Sequence, residues 1–267
     1  MILTVRRATG PVRLHGVQMH QSNYPVAEVG RLACSDRLLT DIWEISRRTV
    51  RVCMEDTFVD CPAYEQVFWV GDARNSALFS YFLFGAEPLV ERCLRLVPGS
   101  QFQTPLLADQ APSGWSSVIP IWTFLWAIAC HEYYVRTGDT GFVREMWPKV
   151  RQTLDAYLTH VDHRGLLSLS GWNFIDWAPM DQPGSGVVTH QHCLLITALE
   201  VGADLARLAG DSGEHLLRAA ARLREAANRH LWSEERQAYR DAIHADGRLS
   251  TTFSMQSQIM AFFGGCA

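Results

Sequence analysis

The sequence predicts an all-α fold: a toroid of stacked helical hairpins, incomplete as a ring, with a short β segment at its N-terminus. Three observations carry that prediction. The turn signals FGAEP at 84–88, TGDTG at 137–141 and AGDSG at 209–213 each separate a strongly apolar helix from a more amphipathic one. A helix apolar on every side is buried on every side, whereas its amphipathic partner faces water. The later two hairpins also repeat each other, with Asp139 and Asp211 following Gly138 and Gly210, as expected of units made of an inner helix, a tight turn, an outer helix and a return loop. Only about seven or eight helices can be counted, short of six hairpins with two helices each, so the ring is expected to stay open and to expose apolar faces that favour self-association.

Residues 1–30 stand apart from the helical domain over 31–267. VRLHGVQMHQSNYPV roughly alternates apolar and polar residues around Gly16 and Pro25, the pattern of one or two short strands. From CSDRLLTDIWEISRRTVRVCM onward the spacing is helical, with Ser35 or Asp36 as N-cap and Leu38, Leu39, Ile42, Ile45, Val50 and Cys53 recurring every three or four residues. SVIPIWTFLWAIACHEYYVR is apolar on nearly every side, and FVREMWPKVRQTLDAYLTHV after it has a clear polar face. HQHCLLITALEVGADLARLA and EHLLRAAARLREAANRHLW repeat the pair. The return loops PGSQFQTPLLADQAPSGWSS and GLLSLSGWNFIDWAPMDQPGSG are rich in Pro, Gly, Ser, Trp and Asp. Loops on a rigid scaffold are where binding residues concentrate, so a concave site is expected at one mouth of the toroid.

Composition narrows the partners. The 267 residues are 48% hydrophobic and 19% charged, with a net charge of −4 and no basic run; nucleic acid is therefore not an expected partner. Seven cysteines form no CxxC pair and are odd in number, which reads as free thiols in a reducing cytoplasm. The start, MILTVRRATGPVRLHG, lacks the apolar core of a signal peptide, and no apolar run reaches membrane-spanning length. No GxxxxGK, GxSxG, HExxH or GxGxxG motif occurs. HQH at 190–192 puts its histidines on different faces of a helix and reads as an exposed polar helix start, so neither metal nor cofactor is expected.

The chemistry concentrates in DTFVDCPAYEQVFWVGDARNS, residues 56–76, where Asp60, Glu65 and Asp72 stand among Tyr64, Phe68 and Trp69. Each acid has a structural reading: Asp60 stabilises a turn before Cys61-Pro62, Glu65 points outward, and Asp72 caps the following helix, worth roughly 0.5–2 kcal/mol. The three together, with Trp69 four positions after Glu65, also suit a cavity in which like charges and apolar walls raise an acid's pKa and keep it protonated for donation. On that reading Glu65 is the general-acid candidate. Trp115, Trp122, Trp172 and Trp177 gather in or near the return loops, with Asp109, Asp176 and Asp181 close by in sequence. Indole faces and carboxylates suit the C–H faces and hydroxyls of a sugar. Trp126 and Trp147, inside helices, read as core.

DCPAYEQVFWVGDAR resembles the acidic signature of bacterial α-L-rhamnosidases of glycoside hydrolase family 78, an Asp-Cys-Pro followed by a Glu and then Trp-x-Gly-Asp. The similarity extends through CSDRLLTDIWEI, SVIPIWTFLWAIACHEYYVRTGD and GWNFIDW, over roughly residues 15–265. The resemblance implies an (α/α)6 barrel, preceded by β-sandwich domains of which residues 1–30 would be a remnant. It also implies inverting hydrolysis of terminal α-L-rhamnosides. Glu65 matches the general acid, and Asp60 and Asp72 match acids that hold the rhamnose hydroxyls. Trp69, Trp122 and Trp177 fall at sugar-contacting aromatics, and Asp176 shares their loop motif. The sequence departs from the family's usual QRDE, which is AYEQ here, so a sugar-contacting Arg is absent. The family's base lies in the last hairpins, beyond MAFFGGCA, with Asp176 or Asp181 as candidate stand-ins; weak or absent hydrolysis by these residues alone is expected. A non-hydrolytic sugar-binding relative and a six-hairpin glycosidase acting on another sugar are the alternatives.

Overall fold

The computed structural model describes residues 2–266. Its helices are α1 (Arg37–Val52), α2 (Val70–Leu83), α3 (Glu87–Leu96), α4 (Pro120–Thr137), α5 (Thr140–Leu158), α6 (Thr189–Ala209), α7 (Glu214–His230) and α8 (Met255–Phe263). Helix α4 packs between α2 and α6, and α6 packs against α8, giving an inner row of α2, α4, α6 and α8. The amphipathic α3, α5 and α7 back that row, so the inner and outer assignments made from apolar patterning hold.

The turns explain why the hairpins are tight. Helix α4 ends on Gly138 at φ 71°, a left-handed conformation that glycine adopts without a Cβ penalty. Asp139 then caps α5 by accepting a hydrogen bond from the Phe142 N–H at 2.9 Å. Helix α6 likewise ends on Gly210, but there the likeness stops. Gly213 is the N-cap of α7, and Asp211 instead accepts from Trp147 Nε1 at 3.2 Å and Arg151 Nη1 at 3.1 Å, tying α5 to the turn. Trp126 and Trp147 are both core residues, with Trp126 Nε1 donating to the Leu94 carbonyl at 3.0 Å.

Several expectations are corrected. Residues 2–30 form no strand; their only ladder-like contact is an isolated bridge between Glu28 and Phe84. Alternation supplies a strand's faces, but a strand also needs a neighbouring edge, and residues 2–22 find none. The stripe on α1 is genuine but uncovered, with Leu38 64% and Ile45 67% exposed. Periodicity identifies which residues share a face, and says nothing of what covers it. Strands arise instead in the return loops: β1 (Ser168–Ser170), β2 (Ser185–Val188) and β5 (Ala242–His244) form an antiparallel sheet ordered β1-β2-β5, and β3 (Trp232–Ser233) pairs with β4 (Ala238–Tyr239).

His190 and His192 are fully buried rather than exposed. His192 donates from Nε2 to the Leu223 carbonyl at 2.8 Å and accepts from the Leu167 N–H at 3.1 Å, pinning α6 to α7. Burial pushes its pKa down to about 4, so it is a neutral structural imidazole. No cluster of metal-ligating side chains occurs among the described residues, and no described helix is long and apolar enough to cross a membrane.

Candidate active site

Three segments converge at the N-terminal ends of α2 and α4. The segment 60–69 closes on itself through Asp60, whose N–H donates to the Val67 carbonyl and whose Oδ1 accepts from the Val67 N–H, both at 3.0 Å. It leads into α2, where Trp69 rather than Asp72 occupies the N-cap position and Asp72 lies in the first turn. The segment around Asp109 is docked on this start, with Val70 N–H donating to the Asp109 carbonyl at 2.9 Å. Asp109 itself is buried, and both its carboxylate oxygens accept from Ser117 Oγ at 2.8 Å. The third segment, residues 171–182, comes from the loop between β1 and β2.

Between them lies a cleft of about 320 Å³, lined by Asp60, Glu65, Trp69, Asp72, Ile119, Trp122, Trp172, Phe174, Ile175, Asp176 and Trp177. Eight of the nine residues singled out from the sequence therefore face one hollow. Trp115 is the exception: it stands behind Trp69, edge-on at 6.3 Å between ring centroids. Trp69 also meets Trp172 edge-on at 5.9 Å, and Phe174 joins Trp172, Trp122 and Trp177 at 5.5, 6.0 and 4.8 Å. The result is a continuous aromatic wall. Ile119, Phe174 and Ile175 were missed from sequence. The last two lie inside GWNFIDW, where tryptophans and acids drew attention away from the apolar residues between them.

Gly71 is required by this geometry, because a Cβ there would stand 2.4 Å from Trp122 Cδ2. Trp122 lies against the first turn of α2 only because that position is bare. Its Nε1 is buried and donates to no partner among the described residues.

The electrostatics differ from the sequence reading in one respect. Glu65 stands on the exposed lip of the cleft, its Oε2 accepting from Trp69 Nε1 at 2.6 Å. The desolvated carboxyl is that of Asp72, whose pKa is raised to about 6. Surrounding protein mass is the main cause, and the charges of Asp60 and Glu65 add to it, against a stabilising backbone N–H. Asp72 remains accessible through the open mouth of the cleft, so the surrounding walls withdraw solvent without sealing it. Asp176 sits on the opposite wall, accepting from the Trp177 N–H and from Gln256 Nε2. Asp181 does not line the cleft; it accepts from His244 Nε2 at 2.8 Å instead.

A larger hollow of about 1130 Å³ lies between residues 21–28 and α1. Arg47 and Arg51 there pair with Glu28, and the hollow brings no indole to a carboxylate.

The acids and indoles thus gather at the N-terminal ends of inner helices in a domain built of helical hairpins. The profile of the family described as the bacterial alpha-L-rhamnosidase 6 hairpin glycosidase domain matches residues 27–261, and the chain belongs to that family. A GH78 family rhamnosidase of Bacillus sp. GL1 is 55% identical and superposes with a TM-score of 0.90 over 92% of this chain and 26% of its own. A rhamnosidase from Klebsiella oxytoca with rhamnose bound shares the fold at 24% identity, with a TM-score of 0.76 over 88% of this chain and 45% of its own. An alpha-L-rhamnosidase of Formosa agariphila is 26% identical over 166 residues, 58% of this chain and 17% of that protein. The chain thus spans less than half the length of each of these relatives.

Proposed function

We propose that these residues form the acid-bearing part of an inverting α-L-rhamnosidase, with Glu65 protonating the glycosidic oxygen and Asp60, Asp72, Asp176 and the indoles of Trp69, Trp122, Trp172 and Trp177 gripping the terminal sugar. The observation that carries this reading is the convergence of these residues on one cleft, in a chain 55% identical to a rhamnosidase. An inverting displacement needs a second carboxylate roughly 6.5–9.5 Å from the acid, on the far side of a water. The reading assigns that base to a carboxylate outside these 267 residues. Trp115 supports the site by backing Trp69 rather than by touching sugar. A cytoplasmic setting is part of the reading and is supported by seven free cysteines.

Titration with L-rhamnose tests the assignment. Saturable binding is expected, stronger than for D-glucose. Asp72 changes protonation near pH 6, and its ionised form is the better acceptor for a sugar hydroxyl. Affinity should therefore rise as pH increases through about 6 in the wild type and stay flat through that window in Asp72→Asn. Equal binding of both sugars, or a pH profile unchanged by Asp72→Asn, would contradict the reading.

Self-association belongs to the same proposal. The open stripe of Leu38, Ile42 and Ile45 on α1 is a contiguous apolar surface of the kind that draws molecules together. Light scattering at micromolar concentration should give a mass above that of one 30.1 kDa chain; a monodisperse monomer would refute it.

A further inference from the structure

Between Gly171 and Gly184 the chain that carries Trp172, Phe174 and Trp177 has no helix or strand. Its backbone bonds are few: the Gly171 N–H donates to Gly184, and the Asn173 and Phe174 N–H groups donate to carbonyls two residues back. Side chains hold the rest. Gln182 spans the loop, accepting from the Ile175 N–H at 2.9 Å and donating to the Asp176 carbonyl at 3.1 Å. The adjacent Asp181 is held from two sides. Its N–H donates to Asp241 Oδ2 at 3.0 Å, and its own Oδ2 accepts from His244 Nε2 at 2.8 Å.

We propose that Asp241 and His244, by gripping Asp181, are positioning residues for the aromatic wall of the cleft. Asp241 is fully buried. While Oδ2 takes the Asp181 N–H, Oδ1 accepts from Ser254 N–H, Ser254 Oγ and Ser257 Oγ at 2.7–2.8 Å, at the start of α8. Only a carboxylate accepts on both oxygens; an amide would turn a donor toward one of these N–H or O–H groups. Helix α8 reaches the same wall directly, through Gln256 Nε2 and Asp176 Oδ2 at 3.2 Å. His244 is oriented in turn by Arg248, which can only donate to its Nδ1, leaving Nε2 to carry the proton toward Asp181. Burial alone would raise the Asp181 carboxyl, but hydrogen bonds from His244 and Ser250 and the charge of Arg248 hold it below the ordinary range. Asp181 is thus a tether away from the cleft and no stand-in for a catalytic base. The link from wall to sugar rests on the rhamnoside reading above; the grip on the loop does not.

Amide hydrogen exchange and L-rhamnose titration together test this. Asp241→Asn should accelerate exchange over residues 172–182 by about ten-fold or more while leaving α4 unchanged, because the loop opens locally. The same variant should weaken rhamnose binding by about five-fold or more, since a wall that is only fractionally in place lowers apparent affinity by that fraction. His244→Ala, which leaves Asp241 intact and so guards against a variant that fails to fold, should loosen the same amides. His244→Gln, which restores a donor, should recover them. Ser257→Ala removes a bond on the α8 side only and should leave the loop unchanged. Wild-type exchange in His244→Ala and Asp241→Asn, or equal loosening by Ser257→Ala, would overturn the proposal. Failure of the wild type to bind rhamnose would instead overturn the rhamnoside reading, with the exchange results still deciding the grip.

Discussion

In a polypeptide that also supplies the base, a carboxylate outside these residues, replacing Glu65 with Gln is expected to lower cleavage of an alkyl α-L-rhamnoside by about 10²- to 10⁴-fold, the usual contribution of a positioned general acid. The loss should shrink sharply with a nitrophenyl rhamnoside, because a stable nitrophenolate leaves without a proton. Rhamnose affinity should change little, since Gln keeps the acceptor that faces Trp69 Nε1. This leaving-group dependence separates donation from simple sugar contact. Equal losses on both substrates would indicate a binding role, and an unchanged rate on the alkyl substrate would remove Glu65 from the mechanism. The position is chemically coherent: Glu65 stands on the accessible lip, where a leaving group would exit, while Asp60 and Asp72 line the same hollow.

Gly71→Ala should have the largest effect of any single-methyl change in the cleft. The added carbon would stand 2.4–2.8 Å from three atoms of the Trp122 ring, far inside contact distance, so the ring must tilt or α2 must shift. Such overpacking costs about 1–3 kcal/mol, a fall in Tm of roughly 2–12 °C for a domain of this size. Because Trp122 lines the cleft and meets Phe174 edge-on, rhamnose affinity should fall together with stability. Differential scanning calorimetry and titration of the same sample check both. An unshifted Tm would show that the ring has room which the structure denies it.

The legible part of the fold was the part set by apolar coverage. Helices α4 and α6 are apolar on nearly all sides and are inner helices; α5 and α7 are amphipathic and are outer ones. The gathering of indoles and carboxylates at one cleft was legible through composition, since such residues in loops had few structural roles to absorb them. Depth was not legible. Asp72 and Glu65 are seven residues apart in one motif and both reach solvent, yet only the three-dimensional path of α2 gathers enough protein around Asp72 to desolvate it. Short strands escaped for a related reason: β1 and β2 are three and four residues long, and β5, which pairs with β2 on its other edge, lies more than fifty residues downstream. His192 was misread because its hydrogen-bond partners, Leu167 and Leu223, come from distant segments. Asp241 drew no attention at all, since a buried acid is identified by donors that arrive from Asp181, Ser254 and Ser257.

The central claim is that Asp60, Glu65 and Asp72 and the indoles of Trp69, Trp122, Trp172 and Trp177 hold one terminal rhamnose. A crystal structure of the chain grown with saturating L-rhamnose tests it most directly. The account predicts the sugar in the cleft, its hydroxyls within hydrogen-bond distance of Asp60 and Asp72, its C–H face on an indole and its anomeric oxygen toward Glu65. A cleft left empty by saturating rhamnose, or a sugar seated there with its anomeric oxygen turned away from Glu65, would contradict it.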